Sequence, residues 1–220
     1  MKVDDIYKYI DHTLLKPTST WDEIREVCKQ AVDYKTASAC IPPYYVKQAK
    51  VEFPSLNICT VIGFPLGYTY SKTKADEADE ALSYGASEID MVANISEIKA
   101  HNWESVLADI VAVREATVGH ILKVIIETTY LDDEEKIKMC EIVTQSGADY
   151  IKTSTGFAPG GATFEDIELF AKHIGPNVKM KAAGGVKTKD DIEKFISLGV
   201  SRIGTSGAIK ILAGEETTGY

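Results

Sequence analysis

Four charged side chains stand in runs of this 220-residue chain that are otherwise apolar and β-rich. They are Asp11 in YIDHT, Asp90 in EIDMV, Lys152 in YIKTS and Lys181 in KMKAAGG. Two lysines with a carboxylate suit carbonyl chemistry. A lysine amine attacks an aldehyde only when neutral, and a reference pKa of about 10.4 leaves almost none neutral at pH 7. A second cation a few ångströms away, together with desolvation, favours the neutral form. The resulting iminium is an electron sink for carbon–carbon cleavage. Asp90, with Lys181, could move protons to and from the carbinolamine and a substrate hydroxyl. None of this needs a metal or a cofactor, and neither is expected. His12, His101, His120 and His173 are dispersed and read as structural or surface residues.

Such groups need a scaffold to bring them together. Apolar spacing switches between short β-rich runs and helical stripes. Strands are expected at Tyr9–Thr13, Thr36–Ile41, Asn57–Ile62, Glu88–Ala93, Ile121–Glu127, Tyr150–Ser154, Val178–Ala182 and Arg202–Thr205. Between them lie helix starts. Thr20-x-x-Glu23 is a capping box, and Asp132-x-x-Glu135, Thr163-x-x-Asp166 and Thr188-x-x-Asp191 are looser versions. Gly85, Gly147, Gly175 and Gly199 stand where a left-handed residue would end each helix. An extra helix comes first, with Val3, Ile6, Tyr7 and Ile10 on one face. Eight strand–helix units of roughly 27 residues predict an α/β fold, a single (β/α)8 TIM barrel over 1–220. Residues 214–220 read as a flexible tail. A doubly wound sheet, the rival, would carry a glycine-rich fingerprint after its first strand, and DHTLLKPT has none.

An internal repeat fixes relative height. GASEID (85–90), GADYIK (147–152) and GVSRIG (199–204) each join a helix stop to a strand, and end on Asp90, Lys152 and Gly204. Strand parity then turns Asp11, Thr13, Asp90, Lys152 and Lys181 into the barrel, near the C-terminal mouth where barrel enzymes place their chemistry. The competing reading is a buried salt-bridge network that only closes the barrel top. Lys179 shares the parity of Lys181 but lies lower, where its ammonium reaches the bottom face.

The loops after strands seven and eight carry Gly184-Gly185 and Gly204-Thr205-Ser206-Gly207, the latter before a short helical stretch. Barrels commonly hold phosphate between these loops with backbone N–H groups, and Ser206 adds a hydroxyl donor. The bland alternative is that the glycines are tight turns.

Composition narrows the classes. A net charge of −9 argues against a nucleic-acid surface and requires local groups to hold any anionic substrate. Cys28, Cys40, Cys59 and Cys140 lack ligand spacing and fit reduced thiols. Neither a signal peptide nor a run of ~20 apolar residues is present, so a cytoplasmic protein without a membrane partner is expected.

Taken together, these segments closely resemble the deoxyribose-phosphate aldolase family. DHTLLKP (11–17), GFPLG (63–67), EIDMV (88–92), KVIIET (123–128), KTSTGF (152–157), KAAGGV (181–186) and RIGTSG (202–207) follow the family's order. The resemblance implies reversible retro-aldol cleavage of 2-deoxy-D-ribose 5-phosphate to acetaldehyde and D-glyceraldehyde 3-phosphate, in deoxyribonucleotide catabolism. It implies that Lys152 forms the Schiff base, Lys181 perturbs it and joins a proton relay, and Asp90 gives or takes the proton. Asp11 and Thr13 match residues at the sugar end, and Gly156, Gly184, Gly185, Gly204 and Ser206 match the phosphate environment. Tyr220 matches a terminal tyrosine that assists proton transfer to the enamine carbon. Phe157 departs from the pattern, because some members carry a lysine there. The family is often dimeric, which implies a homodimer. The alternatives are another class I aldolase, a sugar-phosphate isomerase, or a silent sugar-phosphate-binding protein. An isomerase does not need two adjacent lysines, and a silent homologue should have lost one of Asp90, Lys152 and Lys181.

Overall fold

Residues 1–215 are described here in a computed structural model. The eight β-rich runs form strands β1 (Ile10–Thr13), β2 (Ser38–Ile41), β3 (Ile58–Ile62), β4 (Glu88–Val92), β5 (Ile121–Ile125), β6 (Tyr150–Lys152), β7 (Lys179–Ala183) and β8 (Val200–Thr205). All pair in parallel and in sequence order, and β8 returns to β1 to close a barrel. The extra N-terminal helix is short: Val3–Ile6, then a 3-10 turn through Tyr9 that displaces the expected start of β1.

Helices start where the sequence signals them. Thr20 with Glu23, Asp132 with Glu135, and Thr188 with Asp191 all form reciprocal capping boxes. Thr163 caps its helix through the Asp166 amide, while the Asp166 carboxylate turns to Lys136. Gly85, Gly147 and Gly199 adopt left-handed backbone after their helices, as expected. Gly175 does not: the helix Phe164–His173 ends at Ile174 in extended conformation. Gly175 instead answers to a close approach, since a Cβ there would lie 2.3 Å from Thr144 Cγ2.

Two layers share the strands by parity. Ile10, Ile41, Ile62, Ile89, Met91, Leu122, Val124, Ile151, Met180 and Ile203 join one apolar cluster with the surrounding helices. Leu15, Cys40, Cys59 and Val61 form a second, smaller cluster. The opposite parity carries Asp11, Glu88, Asp90, Lys123, Lys152 and Lys181, all buried. Asp90 pairs laterally with Lys123, Lys123 with Tyr150, and Lys152 with Lys181. Strand tilt of ~36° lifts each row around the barrel, so positions two strands and two residues apart share a level. That brings Asp90, Lys152 and Gly204 to one height.

Candidate active site

Asp90 is the hub of the barrel interior. Its Oδ2 accepts from Lys152 Nζ and Lys181 Nζ, each at 2.7 Å. Its Oδ1 accepts from Lys123 Nζ at 2.8 Å and from the Cys59 thiol at 3.1 Å. Asp11 accepts from Lys181 at 2.5 Å, from Arg202 at 2.7 Å and from the Ser38 hydroxyl at 2.8 Å. Glu88 closes the network below, paired with Lys123 at 2.6 Å and with both terminal nitrogens of Arg202. Unpaired, any of these ions would cost several kcal/mol to bury. Gly204 makes room for the stem of Lys181, because a Cβ there would stand 3.2 Å from Lys181 Cε.

The electrostatics assign charge states. Burial alone would push the Asp90 carboxyl up, but Lys123, Lys152 and Lys181 outweigh it and hold the group well below the carboxylate range. Asp11 is lowered in the same way by Lys181, Lys123 and Arg202 against its burial. For Lys181 burial acts downward, yet Asp11 and Asp90 raise the ammonium above its ordinary range. Lys181 is therefore a standing cation and Asp90 a standing carboxylate. Four cations (Lys123, Lys152, Lys181, Arg202) face three carboxylates (Asp11, Glu88, Asp90). Lys123, Lys181 and Arg202 each meet two or more carboxylates, whereas Lys152 pairs with Asp90 alone among the described residues. Of the three lysines, Lys152 is the one that lines the cavity.

That cavity, of about 320 Å3, opens at the C-terminal mouth. Thr13, Lys152, Gly156, Gly184, Gly185, Gly204 and Ser206, all expected from the sequence, border it, while Asp11, Asp90 and Lys181 lie beneath. Gly156, Gly184 and Gly185 take φ of 85°, 74° and 73°, which a side chain would strain. The loops after β6 and β7 meet backbone to backbone: Ala162 N–H donates to the carbonyls of Ala183 and Gly184. Phe157 stacks edge-on against Phe64 at 5.2 Å. Tyr220 lies outside the described residues.

Sequence reasoning missed several members. Lys123 in ILKVI obeys the same parity rule that exposed Lys152, and that signal was available. Glu88 and Arg202 sit one inward position below Asp90 and Gly204, so the same rule reaches them. Lys187 borders the cavity through its place beyond KAAGG, which no periodicity marks. Cys40, Cys59 and Asp90, and likewise Asp11, Cys59 and Glu88, approach closely enough to hold a metal ion. Protein cations stand against those carboxylates here: Lys123 lies 3.3 Å from Cys59 Sγ and 2.8 Å from Asp90, and Arg202 pairs with Asp11 and Glu88.

Comparison with known proteins agrees with this geometry. A family profile described as DeoC/LacD family aldolase matches residues 6–213. The deoxyribose-phosphate aldolase of Clostridium botulinum (strain Eklund 17B / Type B) is 56% identical over 217 residues, covering 98% of each chain. That of Clostridioides difficile (strain 630) is 56% identical, covering 98% of this chain and 99% of its own. The crystal structure of a putative deoxyribose-phosphate aldolase from Coccidioides immitis superposes with a TM-score of 0.94 at 36% identity, covering 97% of this chain and 87% of that one.

Proposed function

We propose a reaction for this chain from one premise: it belongs to the DeoC/LacD family of aldolases. The reaction is reversible retro-aldol cleavage of 2-deoxy-D-ribose 5-phosphate to acetaldehyde and D-glyceraldehyde 3-phosphate. The observation that carries it is the placement of Lys152, at the cavity wall and sharing one Asp90 oxygen with the buried cation Lys181.

Neutral Lys152 attacks C1 of the open-chain sugar, and the carbinolamine loses water to give an iminium. The iminium withdraws electrons as the C2–C3 bond breaks, while a base takes the proton of the C3 hydroxyl. Asp90, held as a carboxylate, is the acceptor nearest Lys152, and Lys181 returns protons through the same oxygen. The enamine left on Lys152 is protonated at carbon, and water releases acetaldehyde. Thr13 and Asp11 serve the sugar end.

The phosphate is assigned to the far side of the cavity, between Gly156, Gly184, Gly185, Gly204 and Ser206. Glycine backbones admit an anion close to N–H donors. Lys187 supplies a cation on that side, in a chain that has Phe157 where some members have lysine. The assembly is read as a homodimer, which light scattering distinguishes from a monomer or a tetramer.

The test is reductive trapping. Acetaldehyde with borohydride should leave an ethyl group on the peptide holding Lys152. Labelling confined to Lys181, or none at all, overturns the assignment.

A further inference from the structure

Immediately after β5 the chain does something costly. Glu127 adopts left-handed backbone, with φ 54° and ψ 66°. For a residue with a Cβ this conformation is strained and persists only where the surroundings enforce it. The neighbours do enforce it. Ile126 N–H donates to the Lys152 carbonyl at 3.1 Å and Thr128 N–H to the Thr153 carbonyl at 2.9 Å, so the chain stays zipped to β6 on both sides of Glu127.

The twist swings a buried carboxylate, 3% exposed, across to the loop after β6. Both oxygens of Glu127 accept from the Thr155 amide at 3.2 Å, and Oε2 also accepts from the Thr155 hydroxyl at 2.5 Å. The same hydroxyl oxygen accepts from Phe157 N–H at 3.0 Å. This chain of bonds brackets Gly156, whose left-handed turn forms one wall of the cavity. Gly156 in turn backs onto Gly184, with its Cα 3.7 Å from where a Gly184 Cβ would stand. Burial pushes the Glu127 carboxyl up, and the two Thr155 bonds and the charge of Lys152 act against it.

We propose that Glu127 is a positioning residue that fixes the Thr155–Phe157 turn as the wall against which the substrate phosphate is held, and so sets the preference for a phosphorylated over an unphosphorylated sugar. Glu127 itself does not line the cavity and acts through Thr155 and Gly156. The inference rests on the phosphate reading above.

The experiment compares kcat/KM for deoxyribose 5-phosphate with that for deoxyribose. Glu127→Gly suits it, since glycine takes the left-handed backbone without strain while the side chain that carries the carboxylate is removed. The ratio should fall by roughly tenfold or more, chiefly through KM for the phosphorylated sugar. Thr155→Val should copy the effect, and Thr155→Ser, which keeps both bonds to Glu127, should restore the ratio. Should Glu127→Gly prove insoluble, Thr155→Val decides by the same ratio. A wild-type ratio well above one that Glu127→Gly and Thr155→Val leave intact overturns the role of Glu127 while the phosphate reading stands. A wild-type ratio near one removes the phosphate reading, and this inference with it. A general loss on both substrates at constant ratio makes Glu127 a structural residue and also overturns the proposal.

Discussion

Replacing Lys181 with leucine separates a charge that tunes Lys152 from a charge that merely fills the barrel. Both ammonium groups lie 2.7 Å from the same Asp90 oxygen, so they are at most twice that distance apart. At an effective dielectric of about 20, two unit charges so placed repel by about 3 kcal/mol. An energy of about 3 kcal/mol corresponds to roughly a 10²-fold change in rate. In Lys181→Leu the carboxylate of Asp90 also loses one competitor and binds the charged form of Lys152 more firmly. The expected result is a fall in kcat of about 10²-fold or more, with residual activity that climbs as the pH is raised. Removing one partner from a buried network also costs about 3–5 kcal/mol of stability, so the urea midpoint must be measured on the same preparation. The assay is the initial rate of glyceraldehyde 3-phosphate release across neutral and alkaline pH. A folded variant with near-normal kcat and an unchanged pH profile would refute the reasoning and leave Lys181 a structural ion partner.

Ser206→Glu puts a negative charge where the phosphate is assigned, so KM for deoxyribose 5-phosphate should rise and the preference over deoxyribose should collapse. Equal losses on both substrates would show that the phosphate site lies elsewhere. Asp11, Glu88 and Asp90 all have folded pKa values below their unfolded ones, so they stabilise the fold above the unfolded carboxylate range and lose that contribution as pH falls. The urea midpoint should therefore drop steeply between about pH 5 and pH 2, and a flat midpoint there contradicts the ion network. Tyr220→Phe should slow turnover and proton exchange at the acetaldehyde methyl group while trapping on Lys152 survives. Unaltered turnover and exchange would leave Tyr220 without a catalytic part.

Sequence by itself settled what depends on local periodicity. Alternation along EIDMV, YIKTS and KMKAAGG turns Asp90, Lys152 and Lys181 inward, because successive strand side chains leave opposite faces whatever surrounds them. The capping residues placed helix starts, since an N-terminal turn is satisfied by residues three apart in the chain. Tertiary structure decided the rest, for reasons that reach beyond any local window. Glycine at 175 reads as a helix stop, but its absence of a Cβ answers Thr144, thirty-one positions away. A lysine at 123 is inward by the same parity as Lys152, but which carboxylates hold it depends on how far the barrel shear slides β5 past β4. Glu127 reads as the last residue of a strand. Only the closed barrel, by zipping the chain to β6 on both sides of it, forces the left-handed turn that carries its carboxylate to Thr155.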